Sequence, residues 1–198
     1  MAIVAITKEL WLEHQENYIK GSYRNRFDLL SATGKIAMSI PLVGGRDHHR
    51  LYRETQITYT THWQQIHYHA LLSCYGSAPF FEHYINYFKP FYSQQYESLF
   101  DYNLQLLHLL IKLLKLEVKI NLTEEYIKDP THLLDLRVTF KPQEPSFKLA
   151  GYDLREVPYL QVFESIQPFT NHISCIDLLM NEGPHSKEIL REMIVSKD

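Results

Sequence analysis

His14, Glu16, Lys20, Arg24 and Arg26 crowd into one short segment, residues 13–26, with Tyr18 and Tyr23 between them. A loop that only reverses the chain draws on Gly, Pro, Asn and Asp. This one carries acids, bases and aromatic rings, a set that can bind an anion or a polar substrate against aromatic faces. Arg24 and Arg26 stand two apart, so an extended strand would point both the same way. Two guanidiniums on one face can clamp a phosphate or carboxylate bidentately, and Lys20 adds a point charge. His14, close to Glu16, has the spacing of a general base held by a carboxylate. The competing readings are a solvated loop whose ion pairs contribute little, and for His14 a structural histidine.

Other chemistry is less well supported. There is no GxSxG, GxGxxG or P-loop pattern, so serine-hydrolase, dinucleotide and nucleotide-phosphate readings lack their usual signatures. His62, His67 and His69 fall on one expected helix, with His62 and His69 seven apart on a shared face. Without HExxH or a compact His/carboxylate triplet, surface histidines outweigh a metal centre. Gly44-Gly45-Arg46 can receive an anion at backbone amides or serve as a flexible loop. Trp63, at a helix start, reads as core. Residues 75–81 pair helix-stop chemistry with a helix-start proline and two Phe, which reads as a helix elbow.

The elements that must position these groups follow from periodicity. Residues 2–6 suit a strand or a helix end, and 10–14 a strand. Residues 26–31 and 35–42 flank Ala32-Thr33-Gly34 as a β-hairpin closed by Pro41. Residues 54–59 alternate and contain β-branched Thr55, Ile57 and Thr58, which predicts a strand. From Thr61 the period becomes helical, with Trp63, Ile66, residues 70–71 and Cys74 on one face behind a Thr cap. Helices are also expected over 80–88, stopped near Pro90, and over 96–116, then a strand over 118–122. Residues 129–158 read as a long irregular excursion with several prolines, and 174–180 and 186–194 as two closing helices. Strands, then helices, then a mixed tail predict one α/β or α+β domain, of a size that a single core supports.

Composition limits partners. The formal net charge of -3 argues against bulk nucleic-acid binding. No run reaches a membrane span, and the start lacks the charged and apolar regions of a signal peptide, so a cytoplasmic location is expected. Cys74 and Cys175 are far apart and read as free thiols in a reducing compartment. Fourteen Tyr against two Trp suits polar grooves as well as half-buried packing.

Several ordered blocks resemble the WbqC-like protein family. They are Gln15 to Tyr18 with Lys20, Tyr23-Arg24-Asn25-Arg26, and Ile40-Pro41-Leu42 after the hairpin. Trp63 with Tyr75, Ala78-Pro79 and Phe80-Phe81 forms the next. Phe100-Asp101-Tyr102-Asn103-Leu104 and a tail over residues 176–184 complete the set. The resemblance implies a role in bacterial surface-polysaccharide (O-antigen) biosynthesis, as a transferase acting on an activated sugar or an acyl/aminoacyl donor, glycine included. It carries His14, Gln15, Tyr18, Lys20, Asn25, Arg26 and Trp63 over as site positions. On that reading His14 is the general base, Lys20 and Asn25 orient the donor, Arg24 and Arg26 hold its phosphate or carboxylate, and Tyr18 is a stacking wall. His14 and Lys20 are then the catalytic residues, with Gln15, Tyr18, Arg24, Asn25, Arg26 and Trp63 binding a small-molecule or nucleotide-linked substrate. The cofactor is left unknown. The alternatives are a non-catalytic binding or scaffold protein of a polysaccharide assembly pathway, and a metal-dependent hydrolase. The family's opening strand and Gln-Pro or Pro-Pro loop have no counterpart here. The expectation is a shortened N-terminus whose free sheet edge favours a homo-oligomer.

Overall fold

The computed structural model describes residues 1–44, 50–137, 139–140 and 151–196. Gly45 and Arg46 of the expected anion loop, and the centre of the 129–158 excursion, lie outside the described residues. The chain is a mixed α/β domain, and among the described residues its strands form three separate two-stranded sheets.

Residues 2–6 are helical: α1 (Ala2–Ile6) buries Ile3 and Ala5 and packs on the last helix. β1 (Glu9–Leu12) pairs in parallel with β4 (Lys119–Leu122), Glu9 opposite Lys119 and Leu12 opposite Leu122. A parallel pair needs a crossover, and here it carries the hairpin and the three longest helices. The hairpin is β2 (Arg26–Ser31) and β3 (Gly34–Ser39), with Ser31 opposite Gly34. The left-handed backbone after its turn falls on Gly34, at φ 107°, which costs glycine little. Leu29 shares a core with Leu71 and Tyr75 of α2 (Trp63–Tyr75), Leu30 is buried as well, and the Leu30 N–H donates to the Tyr75 hydroxyl at 3.2 Å.

The predicted strand over 54–59 does not form. A 3-10 turn occupies Tyr52–Glu54, and the next residues make only isolated bridges, Ile57 with Leu42 and Gln56 with Ser98. Their backbone bonds divide between two partners: Thr58 N–H donates to Pro41 and Ile57 N–H to Glu97. A continuous ladder needs one.

The α2 stripe also differs from expectation. His62 precedes the helix without a side-chain cap, so Thr61 does not cap it. Ile66 is 59% exposed while His67 is 3% exposed; the buried face runs Trp63, His67, Leu71, Cys74 and Tyr75. α3 (Phe81–Ser93) continues through Pro90. Pro90 has no N–H to offer the preceding turn, but buried Phe88 and Phe91 hold the helix on either side of it. α4 (Leu99–Leu113) starts at Ser98, whose hydroxyl accepts from the N–H groups of Phe100 and Asp101. It ends in a Schellman turn: Leu116 N–H reaches Ile111, Lys115 N–H reaches Lys112, and Lys115 takes φ 52°.

The tail adds β5 (Tyr152–Leu154), α5 (Cys175–Glu182), α6 (Ser186–Glu192) and β6 (Ile194–Ser196), with β5 and β6 antiparallel. β6 falls where the last predicted helix was to end. Leu178, Leu179 and Met180 of α5 share the core of Leu71, Tyr75 and Phe88, so the tail is integral. Asp177 is fully buried; its carboxylate accepts from Tyr159 Oη at 2.7 Å and Gln161 Nε2 at 3.2 Å, which ties the 151–173 segment to α5. Both cysteines are free, and no helix of the described residues is long and apolar enough to cross a membrane.

Candidate functional site

Where β1 ends, the chain is pinned on two sides. Residues 14–18 run against 50–53: Tyr52 N–H donates to Glu16 at 2.8 Å, Arg53 N–H to His14 at 3.2 Å, and Tyr18 N–H to Arg50 at 2.8 Å. On the other side Glu13 uses both carboxylate oxygens. One accepts from Gln15 N–H at 2.8 Å and Thr123 Oγ1 at 3.0 Å, the other from Ile127 N–H at 3.1 Å. This fastens the loop after β4 to the end of β1.

His14 does not pair with Glu16. Its Nε2 lies 2.9 Å from the Thr123 carbonyl and its ring stacks on Phe100 at 4.9 Å. A carbonyl only accepts, so Nε2 is the protonated nitrogen. Gln15 Nε2 donates to the Glu124 carbonyl at 3.1 Å, so both residues brace the loop.

Glu16 turns instead to Arg24. Glu16 Oε1 accepts from Arg24 Nε at 3.2 Å and also from Nη2, with the two side chains only 10% and 14% exposed. The guanidinium carbon lies 5.7 Å from the Tyr52 ring centroid, within cation–π range. Asn103 of α4 completes the group, its Nδ2 donating to the Arg24 carbonyl at 2.6 Å and to Tyr52 Oη at 2.8 Å. Burial pushes the Tyr52 phenol up to about 12, against the opposing pull of the Asn103 bond and the Arg24 charge. Tyr52 is therefore a neutral hydroxyl at physiological pH.

A second ion pair adjoins the first. Arg137 Nε and Nη2 bind the Asp135 carboxylate at 2.7 to 3.1 Å, and Arg137 Nη1 donates to the Ile127 carbonyl at 2.6 Å. The Arg137 hydrogen bond holds the Asp135 carboxyl below its ordinary range. Arg24 Nη2 reaches the Arg137 carbonyl at 3.5 Å.

These groups line a cavity of about 600 Å³ with an apolar floor from Phe100, Leu104 and Leu107 of α4. Its charged lining is Glu9, Glu13, Glu16 and Asp135 against Arg24 and Arg137, an excess of acid. Glu13 has both carboxylate oxygens engaged and Asp135 is paired with Arg137, whereas Glu16 Oε2 carries no hydrogen bond to a described residue.

The expected site residues thus separate. Arg24 lies on the cavity; His14 and Gln15 support its wall. Arg24 sits in a turn and Arg26 opens β2, so the two do not share a strand face, and Arg24 is occupied by Glu16. Arg26 does not line the cavity, and its Nε is buried without a partner among the described residues. Tyr18 Oη donates to Asn25 Oδ1 at 2.8 Å, and Asn25 Nδ2 to the Ile40 carbonyl at 2.9 Å, so this pair locks the open end of the hairpin. Lys20 is exposed. Trp63 is 3% exposed in an aromatic core with Phe91, Leu99 and Tyr102. Glu13, Tyr52, Asn103, Asp135 and Arg137 belong to the site although local spacing does not single them out. Asn103 stands in a block that carries the family resemblance, and Asp135 with Arg137 interrupts an apolar stretch. Among the described residues no three His, Cys, Asp or Glu side chains gather as a metal would require.

No curated protein and no solved structure matches the chain. The match to the WbqC-like protein family runs over residues 1–143, which hold every charged residue lining the cavity and stop before the 176–184 block, and the chain belongs to that family.

Proposed function

We propose that this protein is a group-transfer enzyme of bacterial surface-polysaccharide assembly, working at the Glu16–Arg24 cavity on an acyl/aminoacyl donor or an activated sugar. The observation that carries this reading is the Glu16 carboxylate: Arg24 fixes one oxygen, the other is open, and the residue lines a cavity with an apolar floor. That is the arrangement of a positioned proton acceptor. The role assigned to His14 passes to Glu16, because Glu16 lines the cavity and His14, bonded through Nε2 to the Thr123 carbonyl, does not. An acceptor amine or hydroxyl gives its proton to Glu16 and bonds to the donor carbon. The bond from that carbon to its leaving group breaks, and the proton passes from Glu16 to the departing atom. Between the donor classes, four acids against two paired guanidiniums favour an acyl or aminoacyl group over a nucleoside diphosphate.

A thermal-shift and turnover panel with glycine, acyl and aminoacyl donors and nucleotide sugars tests this. A ligand present at ~100 times its Kd adds about 2.7 kcal/mol of stability. The expected result is a shift with acyl or aminoacyl donors that Glu16→Gln retains while losing turnover. A shift confined to nucleotide sugars would reverse the donor preference. Absence of turnover with every donor would leave the non-catalytic binding protein, a reading favoured by the internal pairing of Glu13, Asp135 and both guanidiniums.

A further inference from the structure

A second cavity, of about 630 Å³, adjoins the first. Ile3, Tyr23 and Phe140 line both, so the two cavities meet at these residues. We infer that this second cavity binds a neutral polyhydroxylated ring, the chemistry of a sugar, beside the Glu16–Arg24 compartment. Its size falls within the range of roughly 300–1,000 Å³ typical of small-molecule pockets.

Its chemistry differs from that of its neighbour. Tyr23, Phe27 and Phe169 supply aromatic surface, on which the C–H face of a sugar ring packs. Polar acceptors stand beside them. The Asp28 carboxylate has no hydrogen bond to a described side chain or backbone group, while its strand is fixed by pairing with Ala37 and by Ser174 N–H donating to the Asp28 carbonyl at 2.9 Å. Asn171 Nδ2 donates to Glu156 Oε2 at 3.0 Å, which leaves the Asn171 amide oxygen and the other Glu156 oxygen to accept from ligand hydroxyls. Asp28 and Glu156 share the lining with Arg155, His172 and Met1, so its ionisable side chains supply no excess of cation to hold an anion. Binding here is independent of the transfer reading and stands even if the first cavity never catalyses.

Saturation-transfer NMR on the full chain, with N-acetylglucosamine and methyl α-glucoside as probes and inorganic phosphate as an anion competitor, tests the inference. Transfer to ring C–H protons is expected, undiminished by phosphate and unchanged in Glu16→Gln. Asp28→Ala should weaken binding about tenfold, the worth of one hydrogen bond to a charged group. Phe169→Leu, which keeps apolar volume and removes the ring, should reduce transfer as well and serves in place of Asp28→Ala if that variant loses its native melt. No transfer to either sugar with folded wild type, displacement by phosphate, or loss of transfer in Glu16→Gln with none in Asp28→Ala and Phe169→Leu would each overturn it.

Discussion

Glu16 receives Arg24 twice through one carboxylate oxygen, Oε1, which accepts from both Nε and Nη2 of the guanidinium. Both side chains are nearly out of solvent, so removing one strands the other. Arg24→Ala leaves a carboxylate without its cation and is expected to cost about 3 kcal/mol. Glu16→Gln keeps an acceptor for Arg24 and should cost about 1–2 kcal/mol. In a double-mutant cycle by urea unfolding, the pair should show a coupling energy of about 1–3 kcal/mol. Coupling near zero would mean that the two residues do not act as a pair.

Asn103 joins three elements through one amide, holding the Arg24 carbonyl and Tyr52 Oη. Asn103→Ala removes both bonds at a partly buried site and should destabilise the chain by about 1–3 kcal/mol. Asn103→Asp keeps the shape but has no N–H to donate, so it should cost at least as much as Ala. Equal stability of Asn103→Asp and wild type by urea unfolding would contradict this role.

The contrast between Arg24 and Asn103 shows how much of the site is legible in the sequence. The density of charge over residues 13–26 marks Arg24 because its partner Glu16 is only eight positions away. Asn103 bonds to groups 79 and 51 residues distant, and Arg137 lies 113 from Arg24, so local spacing carries no trace of the meeting. The hairpin is readable because Ala32-Thr33-Gly34 supplies its turn. The end of α4 is not, because Lys115 takes the left-handed position that Gly usually marks. His67, expected at the surface, is buried instead: a polar residue type sits on the buried stripe of α2, and only the rings of Trp63, Phe27 and Tyr92 around it show why.

Gly183 ends α5 at φ 53°, and a methyl there would lie 2.5 Å from the Phe80 ring. Left-handed backbone costs an L-residue roughly 1–2 kcal/mol, and crowding a packed ring adds roughly 1–3 kcal/mol. Gly183→Ala should therefore lower stability by about 2–5 kcal/mol. In a Phe80→Ala background the crowding term disappears and only the backbone cost should remain. An equal penalty for Gly183→Ala in both backgrounds, read from thermal or urea unfolding, would remove the Phe80 contact from the explanation.

His67 gives the fold a pH dependence of definite sign. Burial lowers its pKa from 6.5 to about 4, opposed only by a backbone bond with Ser39, and Nδ1 has no partner among the described residues. The folded state thus prefers the neutral ring, whereas the unfolded chain takes up its proton near pH 6.5. Stability from this group is fully present above pH 6.5 and is lost as pH falls towards 4, by up to about 3 kcal/mol in total. His67→Phe keeps an aromatic ring and cannot titrate. Subtracting its urea-unfolding free energies from those of wild type removes the carboxylates that titrate over the same range. That difference should slope downward between pH 6.5 and 4 and be flat above pH 7. A flat difference throughout would mean that His67 reaches solvent or a proton acceptor in the folded protein.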